Sequence, residues 1–336
     1  MSLSISVALC TFNGARFIEE QLQSILGQSS RPQQIVISDD ASTDGTLDVV
    51  ASVVNADAVG APTDPVDVTI LRNAKPLGVA RNFEKAIRAS TGDLIALSDQ
   101  DDVWHPDRLS RAAEEFGLRL DLDLIFSDAR LVDANGASLE RSLFEVLEIT
   151  EADRIALHSG DAIPIFFKRN IATGATMMFR RRLLETALPF ATNWVHDEWL
   201  AIVAASTGRV DIVDDALIDY RQHGSNQIGV HYPSLRRKVT RTLEPRGDRN
   251  ERLSRQFAEF AEFADRMASS HVRVPTGLPA QARVKAAFEL SRQNLSPHRI
   301  RRIVPILHGN RHGWYLQFAS QGRLDMLRDL LQSHGK

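Results

Sequence analysis

Three aspartates within four residues are the clearest chemical signal in this chain. Asp99, Asp101 and Asp102 follow residues 94–97, a short apolar run typical of a strand buried in a parallel sheet. Such a cluster repels itself unless a cation or a donor-rich ligand neutralises it. Carboxylate oxygens suit Mg²⁺ or Mn²⁺, and Mg²⁺ usually binds through one or two carboxylates together with substrate phosphates. The cluster therefore favours a divalent-cation site; the alternative is a solvated acidic loop before a helix.

Polar groups also follow two earlier apolar runs. Thr11, Phe12 and Asn13 end the first run, and Asp40 follows the second. An aromatic ring beside amide and carboxylate groups can stack on a pyrimidine and hydrogen-bond its edge. Open α/β sheets bind ligands beyond the carboxyl ends of their strands, so we expect a nucleotide there. No G-x-G-x-x-G follows the first run and no G-x-x-x-x-G-K-[ST] occurs, so dinucleotide and P-loop sites lose their main support.

The elements that must position these groups alternate along the chain. Apolar runs predict strands at residues 5–12, 34–38, 68–71 and 94–97. Helical spacing follows the first run, and a further helix is predicted over residues 79–89. This βαβαβαβ alternation implies an α/β fold with a parallel sheet and right-handed crossovers. Later, strands fit residues 123–127 and 129–132, whereas residues 140–168 have no clear period.

Composition limits the class of protein. The 336 residues, 43% of them hydrophobic and 25% charged, suffice for one large α/β domain with an appendage. Cys10 is the single cysteine, so no disulfide can form within the chain, as is typical of a reducing compartment. No apolar run approaches the roughly 20 residues of a membrane span, and no basic segment followed by an apolar one opens the chain. We therefore expect a cytoplasmic or cytoplasm-facing protein.

Charge divides the chain into two parts. Residues 1–234 contain 20 Lys and Arg against 34 Asp and Glu, whereas residues 235–336 contain 20 against 9. Net charges of −14 and +11 predict two domains with different partners. An amphipathic helix is predicted in the second part from residues spaced by three and four, namely Leu253, Phe257, Phe260, Ala264 and Met267.

The basic region has two candidate roles. Its apolar residues, with Trp314, Tyr315 and Phe318 further on, could pack on the first domain or on a second subunit. A basic helical unit can instead dock on anionic lipid. A nucleic-acid partner is disfavoured because the acidic first part would repel phosphate outside its own site.

Several motifs, taken in their order, resemble the family 2 glycosyltransferases. They are TFNG at 11–14, SDDASTDGT at 38–46, LGVARNF at 77–83 and LSDQDDVWHPDRL at 97–109. Further motifs resemble the bacterial rhamnosyltransferase-type branch, namely TGATMMFRRRLL at 173–184, HDEWLA at 196–201 and YRQHGSNQIG at 220–229. The resemblance implies the nucleotide-diphospho-sugar transferase (GT-A) fold, a mostly parallel mixed sheet flanked by helices. The resemblance spans about residues 4–230, so residues 1–234 are expected to form the catalytic domain. It does not cover residues 235–336, whose apolar spacing predicts a basic α-helical extension.

The resemblance also implies roles for single residues. Those that would bind the nucleotide sugar are Thr11, Phe12, Asn13, Asp40, Arg81 and Asp99. Within that set Asp99 would face the ribose and Arg81 would lie near the diphosphate. Asp101 would ligate a metal that bridges the diphosphate, while Asp102 is either a supporting acid or a charge that favours the next helix N-terminus. The alternatives are core packing for Phe12 and a plain surface charge for Arg81.

A second chemical centre is predicted where Asp197 and Glu198 lie between Trp194 and Trp199. Flanking rings can desolvate a carboxylate and make it a better base, and their faces can stack on a sugar. Sugar transfer with inversion needs one base to take the proton of the acceptor hydroxyl. By its place in the motif that base is Asp197, with Glu198 in reserve. The alternative is that Asp197 only caps the helix.

His223 completes the predicted site. In the resembled family a His at this place helps to bind the metal or the diphosphate. Neutral imidazole suits Mn²⁺ better than Mg²⁺, so Asp101 and His223 are the predicted metal ligands. The alternative is a structural His with satisfied hydrogen bonds.

The function expected from these features is that of a metal-dependent inverting glycosyltransferase using Mn²⁺ or Mg²⁺. By resemblance the donor is dTDP-rhamnose, with UDP-linked sugars as alternatives, and the acceptor is a growing cell-surface polysaccharide or lipid-linked saccharide. The basic region would then hold the enzyme at the cytoplasmic face of the inner membrane. A sugar-nucleotide nucleotidyltransferase is an alternative that would want a Gly-rich phosphate loop after the first strand. An inactive carbohydrate-binding protein is another, with little need for Asp101, Asp197 and His223 together.

Overall fold

A computed structural model describes residues 3–60, 65–224 and 248–332. Within these ranges the chain forms two compact units. The first comprises the described residues of 3–160, 172–190 and 194–224, and the second comprises those of 161–171, 191–193 and 248–332. The domain boundary predicted after residue 234 lies outside the described residues.

A mixed β-sheet forms the centre of the first unit, as the sequence predicted. Its strands are β1 (Ile5–Thr11), β2 (Gln34–Asp39), β3 (Asp67–Arg72), β4 (Leu94–Ser98), β5 (Val103–Trp104), β6 (Leu122–Val132), β7 (Ser138–Ser142), β8 (Met177–Arg180) and β9 (Arg209–Arg221). Their spatial order is β3-β2-β1-β4-β8-β6-β9-β5, with β7 paired to β6 off this path. The first four are parallel, and β8 lies antiparallel between β4 and β6. The carboxyl ends of β1, β2 and β4 therefore meet at one edge.

Helices flank the sheet and also build the second unit. In chain order they are α1 (Ile18–Leu26), α2 (Thr46–Gly60), α3 (Val79–Ala89), α4 (Arg108–Leu118), α5 (Leu143–Val146), α6 (Glu151–Ser159), α7 (Ile163–Lys168), α8 (Leu184–Ala187), α9 (His196–Thr207), α10 (Arg249–Ala268), α11 (Leu278–Gln293), α12 (Arg299–Arg311), α13 (Trp314–Phe318) and α14 (Leu324–Leu331). The helix predicted over residues 79–89 is confirmed as α3. Short 3₁₀ turns, Gly174–Thr176 and Arg181–Leu183, flank β8.

The region without sequence period contains structure that the sequence analysis missed. The strands fitted to 123–127 and 129–132 are one strand, β6, whose pairing with β9 shifts register on either side of Asp128. A bulge reverses the inward and outward alternation, so the apolar pattern breaks while the strand continues. Helices α5 and α6 each open on a capping box, formed by Ser142 with Glu145 and by Thr150 with Asp153.

The second unit is helical, which confirms the predicted extension. Helix α10 buries Phe257, Phe260 and Ala264, as its stripe predicted. Phe167 of α7 meets the first two rings edge-on, at centroid distances of 5.7 and 5.8 Å. Within the same unit Tyr315 lies edge-on to Phe288, with ring centroids 5.0 Å apart. The apolar residues of this region therefore pack largely on one another.

Charged side chains also lie in the interior of the second unit. Lys285, Glu289, Arg292 and Asp329 are all buried. Lys285 donates to Glu289 at 2.5 Å, and Arg292 donates to Asp329 at 2.7 Å. The Tyr315 hydroxyl donates to the same Asp329 carboxylate at 2.8 Å. Among the described helices, none is long and apolar enough to cross a membrane.

Candidate active site

The edge formed by β1 and β2 holds two of the predicted nucleotide ligands through internal hydrogen bonds. Thr11 is buried, and its hydroxyl donates to Asp39 at 2.9 Å. Asp40 is also buried, and its carboxylate accepts the backbone N–H groups of Leu77 at 2.6 Å and Gly78 at 2.9 Å. These contacts fix the strand end and the approach to α3. Thr11 and Asp40 thus shape the walls of the edge.

Phe12 and Asn13 stand open at the same edge. The Phe12 side chain is 39% exposed, so the core-packing alternative is wrong. Its backbone is held on both sides by Gln100, which accepts from the N–H at 2.8 Å and donates to the C=O at 3.0 Å. Asn13 has a positive φ of 48°, and its side-chain oxygen accepts the N–H of Thr43 at 2.9 Å. The ring of Phe12 is therefore presented outward on a fixed backbone.

Arg81 lies on the first turn of α3. Its guanidinium donates to Glu84 at 2.5 Å, within the same helix, and its side chain is 46% exposed. Glu84 also accepts from Arg88 at 2.7 Å. The contact of Arg81 is therefore that of a charge on the surface of a helix, which was the alternative for this residue. To bind a diphosphate, its side chain would have to leave Glu84.

The acidic cluster at the end of β4 lies against the buried guanidinium of Arg108. Burial, together with the charges of Asp101 and Asp197, raises the pKa of Asp99 to about 7. Burial likewise holds the pKa of Asp102 well above its usual range. Arg108 lies beneath them, 3.6 Å over the Trp104 ring, and donates to the carbonyl of residue 175 at 2.7 Å. The single charge of Arg108 does not balance Asp99, Asp101 and Asp102 when all three are ionised.

Asp102 supports the end of β9. It is buried, and one carboxylate oxygen accepts the backbone N–H of Arg221 at 3.0 Å. Its other oxygen has no hydrogen-bond partner among the described residues. The N-cap residue of α4 is Asp107. The contacts of Asp102 therefore fit a supporting acid better than a charge at the N-terminus of that helix.

His223 and Asp101 are in direct contact. The His223 Nε2 lies 2.8 Å from a carboxylate oxygen of Asp101, and the imidazole stacks on Phe17 at 4.7 Å between centroids. Arg221 donates to the backbone carbonyl of Asp101 at 2.8 Å and to the Glu20 carboxylate at 2.7 Å. Two residues that are 122 positions apart in sequence are thus held together by their neighbours.

These two side chains fit a divalent cation as a pair. In the described ranges no group of three or more His, Cys, Asp or Glu is arranged to hold a metal ion. Ligands at about 2.1 Å from one ion and at right angles to each other lie ~3 Å apart, which matches the 2.8 Å between Asp101 and His223. A cation bound there would take its remaining ligands from water and substrate phosphates, as Mg²⁺ commonly does.

Asp197 lies in the first turn of α9. The N-cap residue is Val195, which lacks a side-chain cap, so Asp197 is not at the N-cap position. The Asp197 carboxylate accepts the N–H of Glu198 at 2.7 Å and that of Gly174 at 3.3 Å. Burial raises its pKa to about 6, against the opposing effect of these hydrogen bonds. Its charge also raises the pKa of Asp99, so the two carboxylates share one site.

Close packing behind Asp197 depends on Gly174. A Cβ at Gly174 would come within 2.7 Å of the His196 ring, so only glycine permits this approach. His196 is buried and stacks on Phe83 at 4.0 Å, and burial lowers its pKa to about 3. Neither of its ring nitrogens has a hydrogen-bond partner among the described residues. A neutral ring thus supports the segment that carries Asp197.

The two tryptophans near Asp197 do not offer faces to a sugar. Trp194 and Trp199 are both buried, with ring centroids 5.7 Å apart, and the indole N–H of Trp199 donates to the carbonyl of Ala187 at 2.7 Å. The predicted stacking role is wrong because both rings serve the core. Burial raises the pKa of Asp197, which is the direction that the predicted desolvation requires.

The sequence analysis did not identify several residues that hold the site residues in place. Gln100, Arg108 and Arg221 lie inside the quoted motifs, but only their contacts identify what they hold. Phe17 carries no motif signal because its apolar character also fits the stripe of α1. Gly174 was visible as a lone glycine before β8, which is a signal of close backbone approach.

The architecture is that of the GT-A glycosyltransferases. A mannosyltransferase, PcManGT, from Pyrobaculum calidifontis in complex with GDP-Man and Mn²⁺ aligns with a TM-score of 0.55 at 19% identity, over 98% of this chain and 86% of that one. S. aureus TarS 1–349 in complex with UDP-GlcNAc aligns with a TM-score of 0.54 at 17% identity, over 98% and 90%. These likenesses show the fold, and they extend over the helical region as well as the sheet.

The chain belongs to glycosyltransferase family 2, whose family model matches residues 6–188. An uncharacterised glycosyltransferase of Nostoc is 27% identical over 228 residues, 67% of this chain and 66% of that protein. The dTDP-rhamnosyl transferase RfbG of Shigella flexneri is 26% identical over 233 residues, 66% and 74% of the two chains. The match to the family model contains the acidic cluster and ends before Asp197 and His223.

Proposed function

We propose that this protein is a metal-dependent inverting glycosyltransferase that uses a nucleotide-diphospho-sugar. The observation that carries the proposal is the pairing of Asp101 with His223 at 2.8 Å, beside Asp99, whose pKa is raised by burial and by the charges of both Asp101 and Asp197. A divalent cation bound there would favour the ionised forms of these carboxylates and would hold a diphosphate beside them. Family membership favours sugar transfer over nucleotidyl transfer.

Asp197 is the proposed general base. Its ionised carboxylate takes the proton of the acceptor hydroxyl as that oxygen bonds to the anomeric carbon, and the bond from this carbon to the diphosphate breaks on the opposite face. A pKa of about 6 keeps the group mostly ionised near neutral pH and makes it more basic than an ordinary aspartate. The backbone N–H groups of Glu198 and Gly174 orient it.

The exposed ring of Phe12 is the proposed stacking face for the nucleoside base, with Asn13 beside it. Thr11 and Asp40 form the supporting wall, Asp99 faces the ribose, and Arg81 turns from Glu84 to the diphosphate when donor binds. Asp101 and His223 are the proposed ligands of Mn²⁺ or Mg²⁺. When bound, the ion neutralises charge that builds on the leaving diphosphate.

For the donor we favour dTDP-rhamnose, supported by the 26% identity to RfbG, with UDP-linked sugars as the alternative. The proposed acceptor is a hydroxyl of a growing cell-surface polysaccharide or a lipid-linked saccharide. The putative teichuronic acid biosynthesis glycosyltransferase TuaG of Bacillus subtilis, 28% identical over 151 residues, supports polysaccharide synthesis as the setting.

Donor hydrolysis by the full chain tests this proposal. Purified protein is incubated with dTDP-rhamnose, UDP-GlcNAc or GDP-mannose, with Mn²⁺, with Mg²⁺ or with a chelator, and release of nucleoside diphosphate is measured. We expect one donor to be hydrolysed in a metal-dependent way, with loss in Asp101→Ala and a severe decrease in His223→Ala. Asp107→Ala, an exposed acid nearby, is the control. Undiminished metal-dependent nucleotide binding in Asp101→Ala, measured by calorimetry, would reject the metal assignment.

A further inference from the structure

Helix α12 of the second unit exposes an apolar stripe. Ile300, Ile303, Val304 and Leu307 are 82%, 42%, 75% and 55% exposed. Their spacing of three, four and seven places them on one face, across an arc of about 100° on a helix of 3.6 residues per turn. Single exposed apolar residues are ordinary on a protein surface, but four on one helix face form a contiguous strip.

The opposite side of α12 is the side that packs on the unit. Arg302, Ile306 and Gly309 are buried there. The Arg302 guanidinium donates to the carbonyl of Ser296 at 2.6 Å and to that of Gln332 at 2.6 Å. Because a guanidinium and its carbonyl partners occupy the inner side, the helix cannot turn its apolar stripe inward without leaving these groups unpaired.

Helix α14 shows the same arrangement. It buries Asp325 and Asp329, and it exposes Leu324 and Leu327 at 62% and 53%. Each of these two helices thus buries at least one charged side chain and exposes a row of apolar side chains. An exposed apolar row is unusual for a helix in water, so it indicates an apolar partner.

The charges on α12 indicate which kind of partner its apolar stripe contacts. Its sequence, RIRRIVPILHGNR, contains four arginines and no acid. Arg299 and Arg301 are exposed and border the apolar stripe on either side. An apolar face flanked by basic residues is the pattern of helices that lie in the interface of an anionic bilayer, with the apolar side chains at the acyl boundary and the cations at the phosphates.

We infer that α12 docks this protein on an anionic phospholipid surface through Ile300, Ile303, Val304 and Leu307, with Arg299 and Arg301 at the lipid phosphates. Two-fold pairing of α12 with a second copy is disfavoured, because it would oppose arginines to arginines with no acid on the helix to neutralise them. The inference narrows the membrane contact expected of residues 235–336 to one helix face. It does not depend on the proposed catalytic chemistry.

Vesicle flotation of the full chain tests this surface. We expect binding to vesicles of phosphatidylglycerol and phosphatidylcholine, and little binding to phosphatidylcholine alone. The double variant Ile300→Gln/Val304→Gln should lower binding on the order of tenfold, because the apolar contact is lost. Its matched control is Val59→Gln/Leu118→Gln, two positions in the first unit that are also 82% and 75% exposed and should leave binding unchanged.

A second pair of variants tests the charges. Arg299→Gln/Arg301→Gln should lower binding to the anionic vesicles on the order of tenfold and flatten its salt dependence. Arg252→Gln/Arg266→Gln removes two exposed cations from α10 and is the charge-matched control. Donor hydrolysis without vesicles should be unchanged in both test variants, so a failure here is distinct from a failure of the catalytic proposal.

Three outcomes would overturn the inference. The first is no binding of the parent chain to anionic vesicles. The second is equal losses in the test and control variants. The third is self-association of the parent chain in analytical ultracentrifugation that Ile300→Gln/Val304→Gln abolishes, which would assign the face to a second copy.

Discussion

Asp197, the proposed base, has a raised pKa because it is buried. Two backbone N–H groups favour its ionised form, yet desolvation outweighs them and its pKa rises to about 6. A raised carboxyl pKa means that ionisation costs more in the folded state than in the unfolded chain. The cost is complete above pH 6, decreases as the pH falls from 6 toward the ordinary aspartate pKa of about 4, and is absent below it.

Replacing Asp197 by Asn separates function from stability. Turnover should fall by roughly 10²–10⁴, typical of the loss of a general base, while donor affinity changes little. At pH 8 the variant should be more stable than the parent, because a desolvated charge has been removed. Steady-state kinetics and urea unfolding measure the two effects. Glu198→Gln is the control, and a collapse of turnover there with near-normal turnover in Asp197→Asn would move the role to Glu198.

The pH dependence of catalysis follows from the raised pKa of Asp197. Since the base must be ionised to accept a proton, kcat/KM should fall about tenfold per pH unit below pH 6 and level off above it. An ordinary aspartate would place this limb near pH 4. The residual activity of Asp197→Asn should lack the limb. A limb that persists unchanged in this variant would assign the titration to another group.

Residue types alone could not predict which of the candidate side chains are buried or which of them contact each other. The sequence singled out Asp101 and His223, but the contact between them depends on β9 ending beside the β4 loop. Conversely, the flanking tryptophans looked like ligand-binding faces because a motif says nothing of which side of a ring is covered. Residue type therefore predicted candidate groups, and packing determines which of them are exposed to a ligand.

At the scale of elements, prediction succeeded where the period was clean. Helix α3 has apolar residues at regular spacing and was predicted at its observed ends. Strand β9 was missed because its acids and bulged register obscure the alternation, and β8 because four residues are too few to show a period. Strand β8 connects β4, in the parallel half of the sheet, to β6, and β6 in turn pairs with β9.

Strand β9 also positions the predicted metal ligands. Its last residue, Arg221, holds the backbone of Asp101 and the carboxylate of Glu20. Arg221→Met should therefore lower the affinity for Mn²⁺ with nucleoside diphosphate by roughly 10- to 100-fold, as expected when a supporting partner of a metal ligand is lost. Titration calorimetry measures this affinity. Glu20→Gln, which removes only the outer, more exposed partner, should have a smaller effect; equal affinities in Arg221→Met and the parent would contradict the positioning role.

At the scale of the whole chain, the charge composition predicted two domains but not the structure inside each of them. The basic region was expected to be helical and is, with aromatic residues packed as its stripe predicted. Its buried ions were not foreseen, because Lys285, Glu289 and Arg292 at spacings of four and three look like an exposed salt-bridged face in sequence. Which face of such a helix is covered depends on partners far along the chain.

The pair formed by Arg292 and Asp329 tests how this unit is held together. Both side chains are at most 2% exposed, and Tyr315 donates to the same carboxylate. Asp329→Ala leaves the guanidinium buried without this partner, so it should lower the free energy of unfolding of the second unit by about 3–5 kcal/mol. Asp265→Ala removes the acid of a surface pair with Arg283 and should change stability little.

Hydrogen exchange measured across α11 and α14 reports this loss where it occurs. The double variant Arg292→Met/Asp329→Leu should regain much of the protection, because it also removes the buried charge that Glu289, already paired with Lys285, would otherwise have to neutralise alone. If the double variant is as poorly protected as Asp329→Ala, the pair contributes through its specific geometry and not through charge compensation. If Asp329→Ala exchanges like the parent chain, the buried ions do not hold these helices together.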